Sequence, residues 1–373
     1  MATASNPDRV VPVVSPDDVE LGLDTFGDVT ESPTPGGEAM HGELTSHAET
    51  IRQLLSQAVL ADEVGLDFFG VGEHHRADFA VSAPEVVLGA IAAKTSRIHV
   101  GSAVTVLSSD DPVRVFERFS TVDALSSGRA EVVLGRGSFT ESFPLFGLDL
   151  ADYEVLFEEK INLFAELLKD QPVTWNGTTR GALHKQEVFP RPESGTLKTW
   201  VGVGGSPQSV IRAAHYGMGL FLAIIGGQPA QFAPYADLYR RALEQMGHGP
   251  RPIAMHSPGF VAATDEEALE TLYPYQSAQV TKLGRERGWP PFSREQYLAS
   301  AAADGALYVG SPETVARKIT QNLRVLGATR FDMKYSMGPL PHDAMMRSIE
   351  LYGTKVAPMV RELLAEAPAP VAL

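Results

Sequence analysis

The chain contains no cysteine, which excludes a disulfide framework, a thiolate metal site and a cysteine nucleophile, and leaves packing to hold the fold. Positive charge is scarce: 31 Lys and Arg stand against 46 Asp and Glu, a net charge of −15, and no basic run of five or more offsets it. A surface of that sign repels phosphate backbones and anionic lipids, so neither nucleic acid nor membrane is an expected partner. Long apolar runs are also missing, since nothing approaches the roughly 18 continuous residues of a membrane span. The polar, Pro-containing N-terminus has no apolar signal region. The expectation is a cytoplasmic protein.

What is present is material for a core. Hydrophobic residues make up 44% and charged residues 21%, the balance of a globular protein. The length of 373 residues fits two average domains or one barrel. Residues 1–18 read as an irregular arm, and 31–42, crowded with Pro and Gly, as a long first loop. Strand and helix then take turns. Strands are expected at 19–26, 67–72, 98–107, 130–135, 199–203, 220–225, 253–262 and 329–335. Helices are expected from a cap at Thr45 to about 64, then at 84–95, 112–127, 153–169, 207–216, 232–245, 312–326 and 343–364, the last interrupted at Pro358.

Eight strand-helix units predict a parallel sheet closed into a (β/α)₈ TIM barrel over 19–366, with insertions in its βα-loops; an open doubly wound sheet is the alternative. Two segments exceed ordinary loop length, 177–198 and 273–305, and both are expected at the mouth or rim. The second carries Tyr273, Tyr275, Trp289, Phe292 and Tyr297 and reads as a lid-like cover, or else as a surface helical insertion with a small hydrophobic patch of its own.

In a barrel the chemistry belongs where strands end. After the second strand stands Glu73-His74-His75, in which an imidazole titrating near neutrality has a carboxylate beside it. Adjacent histidines point different ways, so the pair is a weak metal motif. The third strand ends in small residues around Ala103 and Val104, which let a flat ring lie against the backbone. The fourth ends in Gly135-Arg136-Gly137-Ser138, a permanent cation between glycines. After the fifth, Gly204-Gly205-Ser206-Pro207 opens a helix, with Ser209 one turn on: backbone N–H groups at the positive end of a helix dipole make a phosphate seat. Gly310-Ser311-Pro312 competes as a second such seat.

These motifs in this order resemble those of the bacterial luciferase-like flavin-dependent monooxygenases, over about residues 19–364. The strongest stretch runs from Gly72-Glu73-His74-His75 through His99-Val100-Gly101-Ser102-Ala103-Val104 and Asp111-Pro112-Val113-Arg114 to Ser127-Gly128-Arg129 and Gly135-Arg136-Gly137. The resemblance implies a (β/α)₈ barrel that binds reduced FMN, diffusible and supplied by a separate reductase, and reacts it with O₂ on a small substrate. It implies an acid/base role for His74 with His75 beside it, and a non-proline cis peptide between Ala103 and Val104 under the ring. Arg136 and Gly137 would lie along the flavin, and Gly204, Gly205, Ser206 and Ser209 would hold its phosphate. Where some relatives place an arginine, this chain has Asp152-Tyr153-Glu154; Tyr153 would donate a hydroxyl, and the carboxylates beside it favour weak binding. A homodimer is the family habit.

Other readings remain at this stage. Related barrels use a deazaflavin for hydride transfer, and some relatives serve as non-catalytic flavin-binding subunits. A metal-dependent hydrolase needs convergent ligands, and His184, His256 and Asp332 are not in ligand spacing. Pocket walls are expected from Phe26, the 139–146 loop, Ile224, Ile225, His256 and the aromatic insertion, which favours an apolar or aromatic small molecule.

Overall fold

The computed structural model describes residues 11–30, 44–137 and 139–366. The first ten residues of the expected arm, the whole of the Pro/Gly-rich loop 31–42, and Ser138 lie outside the described residues.

Eight parallel strands close a barrel: β1 (Glu20–Thr25), β2 (Phe68–Val71), β3 (His99–Ser102), β4 (Ala130–Gly135), β5 (Lys198–Val203), β6 (Gly219–Ala223), β7 (Ile253–Val261) and β8 (Arg330–Lys334). Each pairs with the next, and β8 returns to β1 with Glu20 opposite Arg330 and Asp24 opposite Lys334. The strands carry apolar residues on both faces because one faces the barrel interior and the other the helices. Those helices are α1 (His47–Glu63), α2 (Pro84–Ala92), α3 (Pro112–Ser126), α4 (Tyr153–Leu167), α5 (Pro207–His215), α6 (Ala233–Gln245), α7 (Pro312–Leu326) and α8 (His342–Leu351). Three of them start on a polar residue followed by Pro: Asp111 caps α3, Ser206 caps α5 and Ser311 caps α7. Proline at the first helical position has the right φ and no N–H to leave unsatisfied.

The lower barrel is filled by a layer unlike the aliphatic norm. Arg330 is buried with its guanidinium 3.6 Å from the Phe68 ring centre, 2.6 Å from Glu131 and 3.1 Å from Asp332. Trp200 Nε1 donates to the same Glu131 at 2.8 Å. Glycines opposite make room: a Cβ on Gly22 would come within 2.2 Å of Asp332, and one on Gly101 within 2.9 Å of the Phe68 ring. Above this layer Val133, Trp200, Phe221 and Ala254 pack together, with Val104 against them. The upper barrel is thereby left open as a cavity.

The structure departs from the sequence reading in five places. Ser46, not Thr45, caps α1, accepting from the Glu49 N–H at 3.1 Å, while Thr45 bonds Thr30 and Thr50 instead. The expected strand 98–107 breaks after Ser102 and resumes as the short strand Thr105–Val106, which pairs with β4. Segment 177–198 spans both ends rather than forming a mouth loop: Leu183–Gln186 pairs with Val173–Trp175 as a hairpin on the outer wall, its tip reaches back to the rim with Thr178 on Glu159 at 2.8 Å and Arg180 on Asp111 at 3.1 Å, and Ser194 meets Asp123 at the opposite end. The C-terminal helix loosens at Tyr352–Val356 in a π-helical turn, ahead of Pro358, which sits in the first turn of the helix Ala357–Ala365 and needs no N–H partner there. Finally, segment 273–305 is mostly helical. Tyr273 and Tyr275 lie within the helix Asp265–Arg287, and a second helix, Arg294–Ala301, starts on a reciprocal cap between Ser293 and Gln296.

Tyr273 and Tyr297 pack that insertion onto itself, while Trp289 is exposed beneath Arg287. Tyr297 is fully buried, its ring 5.0 Å from that of Tyr273 and its hydroxyl donating to the Leu269 carbonyl at 3.0 Å. The helical insertion with its own hydrophobic patch therefore describes it better than an aromatic cover. What reaches the mouth is charge: Glu286 pairs with Arg76 at 2.6 Å, and Arg287 lies over the Phe139 ring. Among the described residues no helix is long and apolar enough to cross a membrane.

Candidate active site

The cavity at the C-terminal ends of the strands measures about 470 Å³. Its wall includes His74 after β2, Ala103 and Val104 after β3, Gly135, Arg136 and Gly137 at the end of β4, Tyr153 at the start of α4, and Gly204, Gly205, Ser206 and Ser209 between β5 and α5. Eleven of the twelve residues singled out from the sequence thus meet in one space; His75 does not. Its Nε2 lies 3.0 Å from Glu73, and its ring meets Phe146 at 5.0 Å.

His74 is almost wholly buried. Its ring is surrounded by Phe26 at 4.9 Å, Phe79 at 4.5 Å and Phe139 at 4.8 Å between centres, and its Nδ1 lies 3.3 Å from Glu141. Burial pushes the Glu141 carboxyl up, but the hydrogen bond from His74 and nearby N–H groups outweigh it and hold the group below its usual range. A charged carboxylate there fixes Nδ1 as the donor and leaves Nε2 to the cavity. Glu73, beside it in sequence, accepts from the Val106 N–H at 3.0 Å, and burial pushes its carboxyl up. Glu73 thus ties the short strand to the loop after β2.

The floor is formed where the Ala103–Val104 peptide is cis, as the resemblance implies. The Val104 side chain lies on Gly135, where a Cβ would come within 2.3 Å of it. Opposite, no atom lies within 4 Å of where a Cβ on Gly204 or Gly205 would stand, and Gly205 has φ +124°, a backbone open to glycine. The bare backbone leads into α5, where Ser206 accepts from the Ser209 N–H at 3.4 Å and Tyr235 donates to the Gly205 carbonyl at 2.8 Å. This is an open cradle at the positive end of a helix, the kind of place that suits an anion. The rival seat at Ser311 already holds an anion, because Asp265 accepts from the Ser311 N–H at 2.7 Å and from the Thr314 hydroxyl at 3.0 Å.

Charge at the cradle is balanced. Arg136 pairs with Glu154 and lies over the Tyr153 ring, while the Tyr153 hydroxyl donates to the Gly137 carbonyl at 3.0 Å. Burial pushes the Tyr153 phenol up, so it remains a donor at neutral pH. A second arginine was not anticipated: Arg212 lies 3.5 Å from the Ser209 hydroxyl and pairs with Glu158 at 2.6 Å. Its signal was available, since position 212 is one helical turn from 209. Also unanticipated as functional groups are Glu141 and Asp24, whose carboxylate is 2.5 Å from His256 Nδ1. His184, Asp332 and His256 do not converge, as His184 lies on the exposed peripheral hairpin.

A groove of about 900 Å³, lined by Arg76, Phe139, Glu141, Leu150 and Arg287 among others, lies beyond His74. Phe139 and Glu141 touch His74 and also line this groove, so the segment they belong to is the partition between groove and cavity. Of the walls expected from sequence, Phe26, Ile225 and His256 line the cavity, Ile224 is buried behind it, and none of the insertion aromatics reaches it.

Comparison with known proteins bears on the family and the fold. The chain is 29% identical over 300 residues, 76% of its length and 86% of the relative's, to an N-acetyl-S-alkylcysteine monooxygenase of Bacillus subtilis. It shares its fold with the oxygenating constituent of a 3,6-diketocamphane monooxygenase of Pseudomonas putida in complex with FMN, at TM-score 0.73, 19% identity and coverage of 92% and 98% of the two chains. It shares it also with a coenzyme F420 dependent tetrahydromethanopterin reductase of Methanopyrus kandleri, at TM-score 0.65, 17% identity and coverage of 91% and 99%. A family model described as luciferase-like monooxygenase matches residues 32–330. With a closed parallel barrel and this match over most of its length, the chain belongs to the luciferase-like monooxygenase family and is an enzyme of the oxidoreductase class.

Proposed function

We propose that the enzyme binds reduced FMN in the 470 Å³ cavity and is a monooxygenase acting on a small apolar or aromatic substrate. The observation that carries this reading is the single cavity that joins the cradle before α5 to the imidazole of His74. The residues present fit the group. Ser206, Ser209 and the N-terminus of α5 would hold its phosphate, Tyr153 and Arg136 would flank its chain, and the Ala103–Val104 backbone with Gly135 would bear its ring. Reduced FMN, when bound, supplies the two electrons that activate molecular oxygen. The chain contributes a dry surround of Phe26, Phe79 and Phe139 and, at His74 Nε2, a site that holds or accepts a proton. Because Glu154 and Glu158 neutralise the two arginines, the cofactor binds weakly enough to exchange, which suits delivery by a separate reductase. The homodimer habit of the family is part of the same reading.

The test is titration of the protein with oxidised and reduced FMN, with a deazaflavin coenzyme as competitor. Reduced FMN is expected to bind below about 1 mM, roughly −4 kcal/mol. In Gly204→Leu the added Cβ meets no protein atom within 4 Å, so the variant should leave the unfolding midpoint within about 2 °C and weaken FMN at least about tenfold, roughly 1.4 kcal/mol. Unchanged FMN affinity in this variant, or tighter binding of the deazaflavin than of FMN, counts against the reading.

A further inference from the structure

His256 is not accounted for by the arrangement above. It lies in β7 with its side chain in the barrel, 5% exposed, and lines the cavity. Its Nδ1 is 2.5 Å from Asp24 on β1, and Asp24 is fully buried with its other oxygen, Oδ1, lacking any partner. Hydrogen bonding to a carboxylate requires a proton on Nδ1, so in the neutral ring Nε2 is an acceptor. Among the described residues nothing donates to it. A buried acceptor facing a cavity costs about 1–3 kcal/mol if the occupant brings no donor.

The surroundings narrow the occupant. The Phe26 ring lies nearly parallel to that of His256 at 6.4 Å, and Phe221 is tilted against it at 6.2 Å. Flat aromatic faces of this kind favour a flat ring. We propose that His256, oriented by Asp24, is a second proton-accepting group of the cavity and that the substrate it receives is a phenol or a comparably acidic planar enol. The substrate class rests on the monooxygenase reading, whereas the role of the imidazole does not. In the step itself the phenolic O–H bond breaks, its proton forms an N–H bond at Nε2, and the electron pair stays on oxygen. Asp24 supplies the counter-charge to the doubly protonated ring, and the phenolate so formed is electron-rich, the state in which an aromatic ring accepts oxygen from an oxidant.

The charged groups around the pair are few. Asp332 on β8 is the backbone register partner of His256 and carries Arg330 at 3.1 Å. Lys334, over Phe26, is neutralised by Asp28 at 3.0 Å. His74 meets the same Phe26 ring edge to face at 4.9 Å. From β6 only Phe221 and Ala223 contribute, so Asp24 is the single carboxylate in contact with the imidazole.

The experiment uses 4-nitrophenol, whose phenolate is yellow, with the full chain and no cofactor. Its bound ionisation midpoint should lie at least about one pH unit below that of the free probe, a tenfold change in the ionised fraction at fixed pH. His256→Gln should restore the free midpoint, and Asp24→Asn should move it the same way; His256→Asn and circular dichroism guard against misfolding. No binding at millimolar probe, a bound midpoint equal to the free one, or a shift that survives His256→Gln but vanishes in His74→Gln overturns the proposal. Displacement of the probe by FMN overturns the substrate assignment by placing the cofactor on His256. FMN affinity is read separately on the same protein, so the cofactor reading and this one fail independently.

Discussion

Arg330→Met is expected to destabilise the fold by about 3–5 kcal/mol, the cost typical of removing one partner from a buried ion pair. Methionine preserves much of the volume over the Phe68 ring, so the loss reports the charge more than a void. The variant leaves Glu131 and Asp332, both fully buried, without the cation between them. Burial pushes Glu131 up, yet Arg330 together with His99 and Lys198 outweighs it and holds that carboxyl far below its usual range. For Asp332 burial wins over the pull of Arg330, and the group is pushed up to about 7. The signs give a pH test. A depressed carboxyl such as Glu131 contributes stability that is complete above its unfolded value of about 4.5 and is lost as pH falls through the folded range. Without Arg330 both acids take up protons more readily in the fold, so the gap between wild type and variant is widest near neutrality and narrows on acidification. Denaturant unfolding with an unchanged slope checks it, and Glu131→Gln added to Arg330→Met should recover part of the loss. A gap that does not vary with pH would remove charge from the explanation.

The barrel and most of the site were legible because they are written locally. Alternating strand and helix periods fix the barrel, and Gly204-Gly205-Ser206-Pro207 states a glycine cradle and a capped helix within four residues. Ser46 against Thr45 is a choice between neighbouring hydroxyls that only the position of the Glu49 N–H decides. What sequence withheld are meetings across the fold: Asp24 and His256 are 232 positions apart, and His74 and Glu141 67. An acid in an apolar strand such as β1 signals a partner without naming it. The aromatics at 273–297 failed for a related reason, because a sequence supplies rings without saying what they face, and Tyr273 and Tyr297 face each other. The order helix before strand returns the chain to the bottom at the end of 177–198, but the climb of its hairpin back to the rim rests on Arg180 meeting Asp111, 69 positions away, which no local pattern states.

His74→Gln is expected to leave FMN affinity within about threefold while lowering substrate-dependent oxygen uptake by about 10²–10⁴, the range for loss of a positioned proton-transfer group. Affinity should hold because the cradle at Gly204 to Ser209 and the bed at Val104 and Gly135 are separate from the imidazole. Turnover should not, because glutamine fills a similar space among Phe26, Phe79 and Phe139 but has no titrating nitrogen to present to the cavity. Glu141→Gln separates proton handling from packing. It keeps the shape, removes the charge that fixes Nδ1 as donor 3.3 Å away, and should lower turnover about tenfold with a displaced pH profile. A structural role for His74 predicts instead that both variants lose thermal stability in proportion to activity and keep the wild-type pH profile. Oxygen uptake by the FMN-loaded enzyme, measured against pH for the three proteins with a substrate the wild type turns over, distinguishes the two. If His74→Gln keeps wild-type turnover, the proton site of this cavity lies elsewhere, and the imidazole that remains in it is the one backed by Asp24.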